Sequence, residues 1–423
     1  MTLCVAVAMM GTGCATLREH LEPKRDDVVD RSTLDGKVMA GYQGWFACPG
    51  DELGRGWYHW GIGTRFDPDH CTIDLWPDVS ELDEDELCPT DFRHADGSVA
   101  YVFSSQNFKT VRRHFQWMQE YGIDGAFVQR FGSEVTAGEL QYEQFTRVLH
   151  HSMRAANQHG RAYSLTYDLS GMRAGQVSRL KDDFNRLLEE EIILGPDDDA
   201  FLYHRGRPLI SVWGIGFSDD RLYTLEECAE FIHFLRNHPG PNGDGFSIML
   251  GVPTYWRTLE RDALEDPYLH DVIRMADVVW PWSVGRYRTP EAAQELAHNV
   301  WAEDMAWCDE EGLDYLPVVF PGFSWHNLKP EFPLDLIPRL GGRFLWSQYV
   351  ALAEIGSTMA YAAMFDEVDE ATAIFKCTND PPVNGSFIDY EGLPEDHYLW
   401  LTGMGARLLR GEIDITEDLP ERK

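Results

Sequence analysis

With 423 residues, 44% of them hydrophobic, the chain is long enough for a large core and its composition is not that of a disordered segment. Lys and Arg number 36 against 70 Asp and Glu, a formal charge of −34 that argues against nucleic acid or an anionic lipid surface as a partner. No Pro-, Gly- or Ser-rich linker and no repeat of fixed period divides the chain, so residues 30–420 are expected to form a single domain.

The first residues are apolar, Leu3-Cys4-Val5-Ala6-Val7-Ala8-Met9-Met10, and run into Gly11-Thr12-Gly13-Cys14. Residues 1–20 thus resemble a bacterial lipoprotein signal with Cys14 as the lipid-bearing residue. They depart from it in lacking a basic start and in having Gly11 where Leu is usual. The expectation is an exported protein, periplasmic or anchored at the outer membrane of a bacterium. No later run reaches the roughly 18 apolar residues needed to span a bilayer.

Short apolar runs then alternate with amphipathic stretches, the pattern of βα units. Val38 to Tyr42 reads as the first strand and is followed by a long excursion to about Ser105. A helix over 111–121 stops at Gly122, and Asp124 to Val128 forms the second strand. A helix over 139–159 leads past Gly160 into the third strand, Ala162 to Tyr167. A helix over 176–191 precedes the fourth strand, Pro208 to Trp213, and a helix over 225–237 precedes the fifth, Phe246 to Leu250. Asp277 to Trp280 is the sixth strand. A helix over 290–311 leads to the seventh, Tyr315 to Phe320. A helix around Trp346 to Ile355 precedes the eighth, Met359 to Phe365, and a helix over 396–409 closes the chain.

Eight strands separated by helices predict an α/β fold, a (β/α)8 TIM-type barrel with long loops at the catalytic face; a doubly wound sheet is the competitor. GxGxxG after the first strand, GxxxxGK[ST], HExxH and GxSxG are all lacking. No cofactor and no metal is expected, and the absence of CxxC spacing argues against structural zinc. Cys48, Cys71 and Cys88 share a loop-rich stretch that could hold a disulfide, with the pairing open. Cys228 and Cys308 fall in helical patterns and read as buried thiols.

A barrel places its site at the carboxyl ends of its strands. After the eighth comes Asp366-Glu367-Val368-Asp369-Glu370, four acids in five positions. A helical turn there would bring Glu367 and Glu370 to one face, and crowding like charges separates their proton affinities. Glycosidic cleavage needs such an unequal pair, one acid to protonate the leaving oxygen and one carboxylate to stay charged. Glu367 and Glu370 are therefore the candidate catalytic pair.

Aromatic rings with polar neighbours in the other loops suit an oligo- or polysaccharide, whose sugars offer apolar faces and hydroxyls. The first loop contributes Tyr42, Gln43, Trp45, Trp57, His59 and Trp60, and the third strand Tyr167 and Asp168. Trp213, Trp282, Phe323, Trp325 and His326 follow strands four, six and seven, and Asp366 and Asp369 complete the substrate-binding candidates.

Four motifs carry a family resemblance: Met39-Ala40-Gly41-Tyr42-Gln43-Gly44-Trp45-Phe46, Thr166-Tyr167-Asp168-Leu169-Ser170-Gly171, Phe320-Pro321-Gly322-Phe323-Ser324-Trp325, and Phe365-Asp366-Glu367-Val368-Asp369-Glu370. Through them the chain resembles bacterial proteins grouped with glycoside hydrolase families 71 and 99, whose founding activities are α-1,3-glucanase and endo-α-mannosidase. The resemblance implies a barrel that cleaves α-mannosidic bonds inside a chain with retention. It makes Glu367 the base that helps the substrate's own 2-hydroxyl attack the anomeric carbon, and Glu370 the general acid and later the base for water. The family's strand-eight motif is Asn-Glu-Trp-His-Glu, so Asp366, Val368 and Asp369 are departures that leave the substrate open among α-mannan, α-glucan and charged polysaccharides. A charged glycan would need a basic cleft, for which Arg55, His59, Arg286 and Arg288 are the candidates. The competing readings are a non-catalytic glycan-binding protein on the same scaffold and a metal-dependent hydrolase using the acidic cluster.

Overall fold

The computed structural model describes residues 28–422 apart from 242. The expected signal segment and Cys14 lie outside the described residues.

β1 (Val38–Tyr42) occupies its predicted span. The excursion after it holds an unpredicted antiparallel hairpin, β2 (Leu87–Arg93) and β3 (Val99–Phe103), turned around Asp96-Gly97. The remaining strands are β4 (Gly125–Phe131), β5 (Ala162–Asp168), β6 (Tyr203–His204), β7 (Arg207–Trp213), β8 (Ser247–Pro253), β9 (Val278–Trp282), β10 (Asp314–Tyr315), β11 (Val318–Val319) and β12 (Ala360–Ala362). The main sheet runs β10-β9-β8-β7-β5-β4-β1-β12-β11, all neighbours parallel, with β6 added antiparallel to β7.

That path is open, which corrects the expected closed (β/α)8 TIM-type barrel: the terminal strands β10 and β11 are not hydrogen-bonded to each other. The seventh strand reads as continuous in sequence, but Pro317 has no N–H to give to a ladder. Leu316 N donates to Val279 O on one edge (2.8 Å), whereas Pro317 O accepts from Tyr361 N on the other (2.9 Å). Neither half spans the seam. The architecture is a curled, open parallel sheet.

Its strands are buried on both faces, which is why they read as unbroken apolar runs. Inside the curl, Tyr361 packs against Trp280 (centroids 4.4 Å apart) and Phe127 (5.3 Å). These rings fill the floor beneath the loops and bury on the order of 150–250 Å² each.

Helices cover the outside, with ends where the caps lie. Phe108–Tyr121 begins at Asn107, whose side chain accepts from Lys109 N (2.9 Å), and stops at Gly122. Glu139–His159 and Leu225–Asn237 match expectation. The predicted 290–311 helix is interrupted by a π turn at Ala297–Trp301. Gly132–Val135 and Tyr268–Ile273 were not anticipated from the pattern.

Of the three clustered cysteines, Cys48 and Cys88 form a disulfide, and Cys71 is a buried thiol like Cys228, Cys308 and Cys377. No helix among the described residues is long and apolar enough to cross a membrane.

Candidate active site

Beyond β12 the chain forms a turn over 366–371, not a helix. Glu367 O accepts from Thr372 N (3.1 Å) and Ala373 N (3.0 Å), which folds the turn back on itself. Arg339 Nη2 donates to Ala371 O and Ala373 O (2.9 and 2.8 Å), while Asp74 N and Ser324 N donate to Val368 O and Glu370 O (both 3.0 Å). The turn is thus held from three sides.

The four acids diverge. Asp366, fully buried, accepts from Gln43 N (2.8 Å) and Gly44 N (2.9 Å) and ties the first loop to the turn. Gly44 makes this bond from the left-handed region at φ 61. Nearby, a Cβ on Gly41 would lie 2.0 Å from Tyr361 Oη, so only glycine fits. Asp369 Oδ2 meets His59 Nδ1 at 3.2 Å. Glu367 and Glu370 alone among the four line the cleft. With Asp366 and Asp369 engaged elsewhere, the cluster does not converge on a metal position. Asp366→Ala is expected to lower unfolding free energy by roughly 2–4 kcal/mol, since two buried amides lose their acceptor. Asp366→Asn keeps one carbonyl acceptor and should cost less, as denaturant titration of both variants would measure.

The cleft consists of two adjoining hollows of about 260 and 320 Å³ that share Trp213, Trp282 and Glu370. Gln43, Trp45, Gln129, Phe131, Asp168 and Glu367 line the first, with Trp280 and Met364. Phe323, Trp325, Phe332, Arg221, Arg286 and Arg288 line the second. Trp45 stacks face to face on His59 (3.7 Å, 6°) and on Phe131 (5.1 Å, 25°), which fixes its plane. Gln43 Oε1, Gln129 Oε1 and the indole nitrogens of Trp45, Trp213 and Trp280 are buried without protein partners, polar atoms that a hydroxylated ligand or water can satisfy.

Burial raises the proton affinity of both glutamates. Glu370 is pushed up to about 8 by desolvation and then by the Asp369 charge. Glu367 is raised by desolvation, then by the charges of Glu370 and Asp369. Opposing this, Gln43 Nε2 donates to Glu367 Oε1 (2.5 Å) and Thr372 Oγ1 to its Oε2 (2.6 Å). The Glu370 carboxyl has no hydrogen bond among the described residues, whereas the two bonds to Glu367 favour its charged form against the burial that raises it. Burial also raises Asp168, against the amide of Ser170 that donates to it at 2.7 Å, and raises Asp366 to about 7.

Several other sequence candidates do not reach the cleft. Tyr42 is in the core, its Oη 2.9 Å from His114 Nδ1. Trp60 is fully buried and donates to Phe103 O, and Trp57 packs on Phe66. Tyr167, on β5, donates its hydroxyl to Asp183, which pairs with the buried Arg130. His326 is folded into its own loop, with Nδ1 2.7 Å from Phe332 O. Arg55 pairs with Glu134 (2.9 Å). Gln129 and Phe131 also line the cleft, because the second strand runs to Phe131, three residues past its expected end at Val128. Arg221 and Phe217 lie in the loop after Trp213, where Gly214 and Gly216 were the available signal.

No protein-family model matches the chain. A stretch of 106 residues is 26% identical to a glycoprotein endo-alpha-1,2-mannosidase-like protein of Danio rerio. It covers 25% of this chain and only 24% of that curated relative. Among solved structures, the glycoside hydrolase family 99 endo-alpha-mannosidase of Bacteroides thetaiotaomicron matches with a TM-score of 0.62 at 15% identity, over 90% of this chain and 99% of its own. A protein described as glycoside hydrolase-like matches at 0.55 and 12%, over 89% and 95%. The chain therefore shares the fold of these two solved structures, in agreement with the resemblance carried by the four motifs.

Proposed function

We propose that this chain is a retaining, endo-acting glycoside hydrolase that cleaves an α-linked glycan such as α-mannan, with Glu367 and Glu370 as its catalytic pair. The observation that carries the reading is the unequal setting of two carboxyls in one aromatic cleft: Glu367 receives two hydrogen bonds and Glu370 receives none. A sugar bound in the first hollow, which Trp213 lines together with both glutamates, would lie beside the pair. Glu367, held by Gln43 and Thr372, takes the proton of the 2-hydroxyl as that oxygen bonds to the anomeric carbon. Glu370 gives its proton to the departing oxygen as the glycosidic bond breaks. Water deprotonated by Glu370 then opens the resulting 1,2-anhydro sugar, and Glu367 returns the proton to the 2-oxygen.

Endo action is supported by the cleft continuing on both sides of Glu370, with room for sugars in each hollow. The reading also includes export, which the Cys48–Cys88 disulfide supports because such bonds persist in oxidising compartments. Incubation with α-mannan, α-1,3-glucan and β-linked controls tests the activity. Reducing ends are expected from an α-linked polymer, with internal products early and the α-anomer formed first by NMR. Binding with no product on any polymer would instead favour the non-catalytic scaffold.

A further inference from the structure

The second hollow of the cleft gathers three arginines in an otherwise strongly acidic chain. Its lining includes Arg221, Arg286 and Arg288 against the acids Asp219 and Glu370. Glu370, raised to about 8, is mainly protonated near neutral pH. Arg221 is committed: it grips Asp219 through Nε and Nη2 (2.8 and 3.0 Å) and lies over the Trp213 and Phe217 rings, at 4.8 and 4.6 Å from their centroids. Arg286 shares Asp262 through one nitrogen (2.8 Å), and Asp262 is already bonded by the amides of Thr254 and Tyr255. Arg288 is exposed on the hollow and has no ion pair or hydrogen bond among the described residues. With Arg221 paired to Asp219 and Arg286 to Asp262, Arg288 is the guanidinium left without a carboxylate partner beside the candidate acid, in a chain with a formal charge of −34.

The global charge does not cancel the local charge of Arg288. At physiological ionic strength, charges more than about 8 Å away are largely screened, so a ligand in the hollow senses the arginines that line it. Guanidinium groups suit carboxylate, sulfate and phosphate oxygens because their fork donates two parallel hydrogen bonds. A neutral sugar needs none of this.

We propose that the hollow formed around Trp282, Phe323 and Trp325 binds a sugar residue carrying an anionic substituent, recognised by Arg288 and Arg286, so that the preferred substrate is an acidic α-linked glycan. This rests on the reading of the cleft as a glycan site and names its substrate class.

The test uses the full chain with Glu370→Gln, to stop turnover, and measures binding by calorimetry. The probes are a neutral α-linked manno-oligosaccharide and its sulfated, phosphorylated and uronic-acid-bearing counterparts. At least one acidic oligosaccharide is expected to bind about tenfold more tightly than the neutral one at low salt, in line with two partly exposed charge pairs. The advantage should shrink as salt rises from about 0.05 to about 0.5 M. It should collapse in Arg286→Gln/Arg288→Gln and be only partly kept in Arg288→Lys, which retains the charge but not the fork. Which arm wins identifies the anion. Equal affinity for neutral and acidic oligosaccharides, or an advantage that survives loss of both arginines, overturns the inference. Hydrolysis of a neutral α-glycan with no acidic preference would leave the catalytic reading standing, whereas acidic preference in a chain that never cleaves would remove only the catalytic one.

Discussion

Glu370→Gln is expected to lower kcat on a natural α-linked glycan by about a thousandfold, the middle of the range for loss of general acid catalysis. Glu367→Gln should do at least as much. The two losses are of different kinds and can be separated. A substrate whose leaving group departs as a stable aryl oxide needs no proton from Glu370, so it should restore the first step in Glu370→Gln and leave Glu367→Gln inactive. Because the pair acts as a unit, the double variant should be little worse than either single one. Full activity in both single variants on every cleaved glycan would end the assignment. In the unaltered chain, kcat/KM should fall on the alkaline side near pH 8, where Glu370 gives up the proton it must donate.

The same substitution should make the fold more stable while it removes activity. Burial raises Glu370 from its ordinary 4.5 to about 8, so the folded state keeps a proton that the unfolded chain loses. Below pH 4.5 both states are protonated and the residue has no pH-dependent effect. As pH rises from there to about 8 the unfolded state binds fewer protons, and stability falls. Gln titrates nowhere and removes that slope. Glu370→Gln should therefore match the unaltered chain near pH 4 and exceed it by on the order of 2 kcal/mol near pH 8, allowing for partial exposure of the carboxyl. Urea unfolding at the two pH values measures the gap. A constant difference across pH would mean that Glu370 is not held protonated by its surroundings.

The residues that proved easiest to read were those whose signal is local. β1, the helices Glu139–His159 and Leu225–Asn237, and the glycine stops at Gly122 and Gly160 follow from apolar spacing and capping chemistry within a few residues. Glu367 and Glu370 stood out because charge directly after a core strand conflicts with the surrounding pattern. The aromatic candidates were harder. Trp45, Trp213, Trp282, Phe323 and Trp325 line the cleft, but Trp60 and Trp57 from the same kind of loop pack inward. Loop composition records that a ring is present and not which way it faces. Asp366 and Asp369 illustrate the same limit, because their partners Gln43, Gly44 and His59 are more than 300 positions away in sequence.

The amino-acid order by itself determined the alternation of strands and helices and the placing of two glutamates past the last strand, since both depend on hydrophobic period and immediate neighbours. Only the tertiary structure decided that the sheet stays open at Leu316-Pro317, that two of four acids are spent on binding the first loop and His59, and that arginines from separate loops gather beside Glu370. Each of these depends on distances between segments remote in the chain, which burial and hydrogen bonding set only once the whole core has closed around them.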